Sequence, residues 1–477
     1  MRRSRKIAGA VAVMLLGSLV WTGATHASGD NAAFVATAGA RPVVLASPER
    51  GRISHILVVE LENESFASTF GPSSPASYLN TVLRPQGELV ENYFATGHAS
   101  LDNYLSQVSG QSPTNLTKAD CSNLATLTPP FTGIAFGYSD VSPGVDDPFP
   151  ATNPGQVDGN GCIYPAPTAS AHGAPTIANQ LDAAYPPDPV THVAAWRAYN
   201  GDMGNDPTRD GGVPDPSGGT DCAHPPVGGV DNAELATPTD QYATRHSPFV
   251  YFHSIIDNAA ECNANVVPLG TLTSTGVPDP QGHLARDLSS EKTTPRFGFI
   301  TPNQCDDGHD ATCRGPNAEG GHTGGLVGAD LFLKHWMPLI LGSPAYQDGS
   351  MLVVVTFDEG GITPTGSADV RSCCYEQPGP NTAAPGDLFS RAATNTAPGG
   401  GQTGMVLLNR DLIRPGTDNT TGAYNHYSAL RSYEDILGLT SGGSDGLGHL
   451  GFATAPGLAP FGPDVFNRHA NEPGHGS

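Results

Sequence analysis

Apolar runs alternate with helical patterns along most of the chain. Nearly continuous apolar runs, typical of strands buried in a sheet, occur at Ile53–Glu60, Phe249–Ile255, Phe297–Ile300, Met351–Phe357 and Met405–Leu408. Helices are predicted at Pro75–Leu83, Leu101–Ser109, Ile177–Ala184, His192–Tyr199, Ala329–Leu341 and His426–Leu437. Strands that alternate with helices predict an α/β fold, with a mainly parallel central sheet flanked by helices.

One stretch departs from this alternation. Residues 111–245 are rich in Pro, Gly, Asp and Asn, a composition typical of loops. We therefore predict a single domain over residues 51–470 with a long loop-rich insertion at 111–245, pinned in part by Cys222. Residues 28–50 are predicted to be a loose N-terminal segment.

The first residues have the pattern of a secretory signal peptide. A basic start, with Arg2, Arg3, Arg5 and Lys6, precedes an apolar run at residues 7–21, and Thr25-His26-Ala27 supplies small residues suited to cleavage. The apolar run is too short to span a membrane comfortably. We predict that residues 1–27 are removed and that the protein is secreted, without stable membrane insertion.

The net charge limits the classes of binding partner, and the cysteine content predicts disulfides. The formal net charge is -23, which argues against binding nucleic acid or anionic lipid surfaces. It does not exclude a phosphorylated substrate, because a bound metal can supply positive charge. Eight cysteines in an exported chain predict disulfides. Cys305 and Cys313 are close enough to close a small loop, whereas adjacent Cys373 and Cys374 are expected to bond different partners.

Polar side chains follow three of the predicted strands. Glu62 and Asn63 come after the first, Asp307 and His309 after Phe297–Ile300, and Asp358 and Glu359 after Met351–Phe357. In open α/β sheets, ligands bind beyond the carboxyl ends of the strands, so these groups are expected to converge. Carboxylate and amide oxygens together with histidine suit a divalent metal.

The helix that begins near Ser100 is the candidate site of covalent chemistry. Ser100 is predicted to be its N-cap, and a helix N-terminus offers N–H donors and partial positive charge to an anion. A serine hydroxyl beside a divalent cation could attack phosphorus. Asn103, one turn along, could donate to a phosphoryl oxygen, and His426 opens the last predicted helix.

Several segments resemble, in chain order, a bacterial phosphoesterase family. They are Glu62-Asn63-Glu64-Ser65-Phe66, His98–Leu105, Thr301-Pro302-Asn303 with Asp307–Asp310, Asp330 with Phe332-Leu333, Val354–Gly361 and His426–Leu439. The family contains secreted acid phosphatases, phosphatidylinositol phosphatases and phospholipases C, and it is related to alkaline phosphatases. The resemblance covers roughly residues 53–110 and 249–440 and implies an alkaline-phosphatase-like fold.

The resemblance also implies roles for individual residues. Ser100 would be the nucleophile that forms a phosphoseryl intermediate, and one or two divalent metal ions would act as cofactor. The implied metal ligands are Glu62, Asn63, Asp358 and Glu359, with Asp307 as a lesser candidate. Asn103, His309 and His426 would bind or polarise the phosphoryl group or ligate a second ion.

The chain departs from the family pattern near the nucleophile. Ala99 and Asp102 stand where the family has prolines, and Asp306 stands where it has asparagine. Asp102 adds negative charge that would weaken anion binding or recruit a second cation.

Three functions are consistent with these features. The compact motif around Ser100 resembles the shorter phosphatase branch of the family more than the long phospholipases, and this resemblance implies hydrolysis of phosphate monoesters, including phosphoinositides. A phospholipase C-type phosphodiesterase is the alternative. A secreted, non-catalytic binding protein on the same scaffold is the third, although the complete set of candidate residues argues against it.

Overall fold

The computed structural model describes residues 52–123, 134–143, 154–167, 173–186, 194–233, 235–309, 312–313, 323–361, 369–374, 376, 379–380 and 399–468. All of them belong to one compact unit, Ala46–Ser477. The predicted signal peptide at 1–27 and the predicted loose segment at 28–50 lie outside the described residues.

A central sheet organises the unit. Its eight strands among the described residues are β1 (His55–Leu61), β2 (Glu88–Phe94), β3 (Trp196–Asn200), β4 (Val266–Pro268), β5 (Phe297–Thr301), β6 (Met351–Phe357), β7 (Met405–Leu408) and β8 (Thr417–Asn425). Their order across the sheet is β4-β3-β5-β1-β6-β7-β2-β8. Neighbouring strands are parallel except at β7, which runs antiparallel to both β6 and β2. The predicted mainly parallel α/β fold is confirmed.

Helices cover both faces of the sheet. The longer ones are α1 (Ser100–Ser109), α2 (Ile177–Ala184), α3 (Gly325–Gly342) and α4 (His426–Leu437). Side chains alternate along β1, so that Ile56 and Val58 join the core that includes α1 and α4, whereas Leu57 and Val59 join the core that includes α3. A strand buried on both faces has few polar positions, which explains the continuous apolar pattern of β1.

Shorter elements complete the fold. Short helices lie at Phe66–Phe70, Pro207–Asp210, His253–Ile256, Ala259–Asn265, His283–Asp287 and Pro344–Gln347. A π-helical turn lies at Leu79–Leu83, and 3₁₀ turns lie at Arg84–Gln86, Thr117–Ala119, Thr244–His246, Pro248–Tyr251 and Gly451–Thr454. Three small ribbons pair Phe136–Tyr138 with Gly229–Asp231, Ser142–Pro143 with Gly159–Asn160, and Val213–Pro214 with Thr220–Asp221.

Three predicted elements are wrong or too long. The expected helix at His192–Tyr199 is replaced by β3, in which Trp196 and Tyr199 are buried in opposite cores, as in a strand. The apolar run Phe249–Ile255 pairs with no strand of the central sheet and forms a 3₁₀ turn that begins at Pro248, followed by a short helix. Burial alone does not distinguish a strand from a buried turn. The helix expected at Pro75–Leu83 starts two residues later, at Ser77, and takes a π-helical form over Leu79–Leu83.

All eight cysteines form disulfides. The pairs are Cys121–Cys162, Cys222–Cys262, Cys305–Cys313 and Cys373–Cys374. The small loop predicted between Cys305 and Cys313 is confirmed. The expectation for Cys373 and Cys374 is wrong, because the other six cysteines pair among themselves and Cys374 adopts a left-handed conformation, with φ of 68°. None of the described helices is long and apolar enough to cross a bilayer.

A buried carboxyl group in β2 gives the stability of the fold a pH dependence. Burial, with Asp464 and Asp418 nearby, raises the pKa of Glu88 from 4.5 to about 8. Between these two values the folded chain holds a proton that the unfolded chain has released, so the free energy of unfolding falls as the pH rises. We expect Glu88→Gln to raise the free energy of unfolding by about 2 kcal/mol at pH 8.5 and to change it little at pH 4.5. Denaturant titrations at the two pH values test this; a difference that is equal at both would contradict it.

Candidate functional site

Five parallel strands end at one edge of the sheet and carry polar residues there. These are Glu62 and Asn63 after β1, Ser100 after β2, Asp307 after β5, Asp358 and Glu359 after β6, and His426 after β8. We call Glu62, Asp307, Asp358 and Glu359 the carboxylate cluster. The order of the strands, with β5, β1 and β6 adjacent, places residues far apart in sequence next to one another.

The hydroxyl of Ser100 points at the carboxylate cluster. Ser100 is the first residue of α1 and Ala99 is its N-cap, so the prediction that Ser100 caps the helix is wrong. Asp120 does the capping instead, since its Oδ1 accepts a 2.8 Å hydrogen bond from Leu101 N. Ser100 Oγ therefore does not cap the helix and instead donates a 2.8 Å hydrogen bond to Glu62 Oε2.

The turn after β1 holds the acids in place. Asn63 adopts a left-handed conformation, with φ of 58°, which asparagine tolerates better than most residues. Its backbone N–H donates to Asp358 Oδ1 over 2.8 Å, and its side-chain amide donates to Glu62 Oε2 over 3.2 Å. Gly361 packs against this turn, where a Cβ would lie 2.1 Å from Asn63 O. The turn thus fixes one oxygen of each acid.

The other oxygens of these two acids suit a cation. Asp358 Oδ2 is buried and has no hydrogen-bond partner among the described residues. Burial, then Asp358 and Asp307, raise the pKa of Glu62, and burial, then Glu359, raise the pKa of Asp358. Such crowding of buried acids is costly unless positive charge offsets it. The donors therefore fit a divalent metal ion.

A histidine absent from the sequence prediction completes the cluster. His246, from the 3₁₀ turn Thr244–His246, lies with Nε2 3.5 Å from Glu62 Oε1 and Nδ1 3.3 Å from Asp307 Oδ2. Tyr104 of α1 stacks on its ring, with centroids 5.6 Å apart. Burial, followed by Arg245 and His309, lowers the pKa of His246 well below its usual value. The neutral ring keeps a lone pair for a metal or a proton.

His309 lies beside His246 and next to a buried cation. Ligand atoms of Glu62, His246 and His309 all lie within 4.8 Å of one another, as in a metal site. His309 Nε2 is 3.3 Å from the guanidinium of Arg245, and its backbone N–H donates to Asp307 Oδ1 over 2.7 Å. Arg245 is itself buried over the ring of Phe136. It brings fixed positive charge to an otherwise acidic region.

Two further histidines, which lie outside the carboxylate cluster, contact two of its acids. His98 Nδ1 lies 3.1 Å from Glu359 Oε2, and its Nε2 lies 2.9 Å from Asp369 O. His426 Nε2 donates to Asp358 O over 2.7 Å, so its Nδ1 accepts from Tyr93 Oη over 2.9 Å. Burial lowers the pKa of His426 to about 4, so it is neutral at physiological pH. In this arrangement His426 holds Asp358 in position.

Asn103 is engaged with the loop that precedes the nucleophile. Its Oδ1 accepts hydrogen bonds from the backbone N–H groups of Thr96 and Gly97, and its Nδ2 donates to Gly97 O and Ala99 O. Both amide hydrogens are therefore in use. Contact between Asn103 and a phosphoryl oxygen, as predicted, requires one of these bonds to open.

Sequence reasoning missed His246, Asp120, Arg245 and His98 as contributors to the site. Arg245 and His246 stand at the end of the loop-rich stretch, next to an apolar run interpreted as a strand, where no periodicity marks them. Asp120 contacts the site through the backbone of α1, which only the folded chain reveals. His98 belongs to the segment that resembles the family around Ser100, but the resemblance implies no role for it.

A second group with metal-ligand spacing lies elsewhere, at Asp215, Asp221 and His283. The hydrogen bonds of His283 explain it without a metal. Nδ1 of this ring is 2.9 Å from a guanidinium nitrogen of Arg286 and so accepts, which leaves Nε2 to donate to Asp215 Oδ2 over 2.9 Å. The group is a hydrogen-bond network centred on His283.

No protein-family model and no curated protein matches the chain. Among solved structures, it is similar to an alkaline phosphatase superfamily protein from Vibrio parahaemolyticus, with 11% identity, TM-score 0.38, and 85% of this chain and 72% of that one covered. It is also similar to the lipoteichoic acid synthase LtaP from Listeria monocytogenes, with 9% identity, TM-score 0.39, and coverages of 87% and 76%. For the alkaline phosphatase of the Antarctic bacterium TAB5 the values are 10%, 0.31, 82% and 99%.

Proposed function

We propose that the protein is a secreted, metal-dependent phosphoesterase that hydrolyses phosphate monoesters through a phosphoserine at Ser100. The observation that carries the proposal is the 2.8 Å hydrogen bond from Ser100 Oγ to Glu62 Oε2 at the start of a helix, within a buried carboxylate cluster. A serine that only capped its helix would direct its hydroxyl to the helix backbone.

Different residues carry the separate steps of the proposed hydrolysis. Ser100 Oγ attacks phosphorus, the bond to the ester oxygen breaks with its electron pair on that oxygen, and the hydroxyl proton passes to Glu62 Oε2. Water then attacks the phosphoserine, the bond between phosphorus and Ser100 Oγ breaks with its electron pair on Oγ, and Oγ takes back the proton held by Glu62 Oε2. His246 or His309, both within the cluster, would accept the proton of the attacking water. Arg245 stabilises negative charge on the phosphoryl group through its position beside His309.

The metal would be held by Glu62, Asn63, Asp358 and Glu359. Asp307 and His246 would be additional, lesser ligands. A metal held there would neutralise charge on the phosphoryl oxygens and would favour the serine alkoxide. The chain carries a formal net charge of -23, so such positive charge would offset the repulsion of an anionic substrate.

A panel of esters tests the function and its alternative. We expect the purified chain with added Mn²⁺, Mg²⁺, Ca²⁺ or Zn²⁺ to hydrolyse p-nitrophenyl phosphate faster than p-nitrophenylphosphorylcholine, and a chelator to remove both activities. The opposite order would favour the phospholipase C-type diesterase. Absence of hydrolysis with every metal and ester would leave the non-catalytic binding protein.

A further inference from the structure

The N-terminus of α1 holds a carboxylate of the chain itself. Asp120 Oδ1 accepts a 2.8 Å hydrogen bond from Leu101 N, the backbone N–H that directly follows Ser100. N–H groups at the start of a helix are the usual donors to a bound anion, and partial positive charge accumulates there. A phosphoryl group that approaches Ser100 would therefore find this donor occupied by Asp120.

A buried guanidinium lies beside the same carboxylate. Arg245 is 1% exposed, and its Nε lies 3.9 Å from Asp120 Oδ2. This Nε has no hydrogen-bond partner among the described residues. The terminal nitrogens are engaged, since one is 3.3 Å from His309 Nε2 and the other donates to Ala233 O over 2.6 Å. Arg245 thus keeps one N–H donor, without a hydrogen bond, next to the carboxylate.

The loop that carries Asp120 adopts an unfavourable backbone conformation to place it there. Asp120 and Cys121 are both left-handed, with φ of 53° and 56°, a region that residues other than glycine seldom occupy. The 3₁₀ turn Thr117–Ala119 precedes them, and the disulfide between Cys121 and Cys162 anchors the chain directly after Asp120. The position of the carboxylate is therefore fixed by this loop as well as by its hydrogen bond.

A carboxylate and a phosphoryl group use the same partners. Both are anions whose oxygens accept from backbone N–H groups and from guanidinium groups. Burial raises the pKa of Asp120, whereas Arg245 and the N–H of Leu101 lower it, because both stabilise the charged form. A phosphoryl group at Ser100 would draw on these two groups and would be repelled by the carboxylate beside them.

We propose that Asp120 is a specificity-determining residue, an internal anion that competes with the phosphoryl group of the substrate for Leu101 N and Arg245. The inference rests on the proposed function for the identity of that group. A phosphoryl group either displaces the carboxylate from these donors or binds next to it without them. In both cases Asp120 weakens the binding of phosphate, and it does so more for a dianion than for a monoanion.

Binding of inorganic phosphate measures this competition without catalysis. With Mn²⁺ present, we expect Asp120→Asn to lower the dissociation constant of phosphate about tenfold, because the amide keeps the hydrogen bond to Leu101 N and removes the charge. Asp120→Gly, which suits the left-handed backbone and also frees the N–H, should lower it further. Isothermal titration calorimetry on the full chain measures both changes.

Asp348→Asn is the matched control for the loss of one negative charge. Asp348 Oδ1 accepts from Ser350 N over 2.9 Å just before β6 begins, at the edge of the sheet opposite to the site. Its variant should bind phosphate as the wild type does. An equal gain in Asp348→Asn and Asp120→Asn would overturn the proposal, because net charge alone would then account for it.

Hydrolysis provides a second measurement. We expect Asp120→Asn to lower KM for p-nitrophenyl phosphate, a dianion at neutral pH, more than KM for p-nitrophenylphosphorylcholine, whose choline group offsets its charge. A residue that only supported α1 or oriented Arg245 would behave differently: its amide variant would lose kcat and bind phosphate more weakly. That result would overturn the proposal.

The failure of this inference and the failure of the proposed function give different results. Ester hydrolysis by the wild type, together with a phosphate affinity that neither Asp120→Asn nor Asp120→Gly changes, would overturn the competition and leave the phosphoesterase standing. Tighter phosphate binding in both variants, without hydrolysis of any ester, would support the competition and contradict the phosphoesterase.

Discussion

Replacement of Ser100 by alanine is expected to abolish phosphoester hydrolysis, with kcat reduced at least about 10⁴-fold. The hydroxyl is the nucleophile in the proposed reaction, and Ala leaves Glu62 without the group that it orients. The variant should fold, because Ala is tolerated at the first position of a helix and Asp120 still caps α1 through Leu101 N. Steady-state hydrolysis of p-nitrophenyl phosphate, together with the melting temperature, measures both expectations.

Ser109→Ala is the matched control for this change. Ser109 is a buried serine at the other end of the same helix, where its Oγ donates to Leu105 O over 2.7 Å, far from any phosphoryl chemistry. Its variant should keep the wild-type rate. Turnover that persists in Ser100→Ala at a comparable rate would show that another nucleophile, or water acting directly, breaks the ester bond.

The elements that the sequence predicted correctly have a clear local pattern of apolar residues. β1 and β6 are buried on both faces and read as continuous apolar runs, and α4 begins and ends where its pattern does, at His426 and Leu437. β2 and β8 were missed because they carry polar residues such as Glu88 and Asn419 that the folded chain buries beside polar partners. Tertiary contacts there override local preference.

The candidate site likewise contains some residues that the sequence predicted and some that it did not. Groups that directly follow strands, such as Glu62 and Asp358, were predictable, because parallel strands of a sheet end at one edge. His246 was not, since it reaches the cluster from a 3₁₀ turn in a stretch that composition marks as loop. The bond between Cys373 and Cys374, where Cys374 is in a left-handed conformation, is likewise not indicated by the spacing of the cysteines.

Glu62→Gln is expected to weaken metal binding without weakening folding. The amide keeps the shape of the side chain, and its oxygen can still accept from Ser100 Oγ, but it offers a metal no charge. Because burial, Asp358 and Asp307 raise the pKa of Glu62, its ionised form is unfavourable in the folded chain without a cation. In chelator the variant should therefore melt at or above the wild-type temperature, while kcat/KM with saturating Mn²⁺ falls by about 10³-fold.

Glu434→Gln distinguishes this effect from the loss of any buried acid. Glu434 lies in α4 with Oε1 accepting from Leu450 N over 2.9 Å and Oε2 buried without a hydrogen-bond partner among the described residues, so it resembles Glu62 in burial but lies outside the carboxylate cluster. Its amide variant should bind Mn²⁺ and hydrolyse ester as the wild type does, whatever happens to its melting temperature. If Glu62→Gln kept the wild-type ion count and rate, the carboxylate beside Ser100 would be a hydrogen-bond acceptor alone, and the metal would have to act from another set of ligands. Since the 2.8 Å contact to Ser100 Oγ is made by Oε2, whereas Oε1 faces His246, the two oxygens of Glu62 have separable tasks, and the variant removes the charge that both depend on.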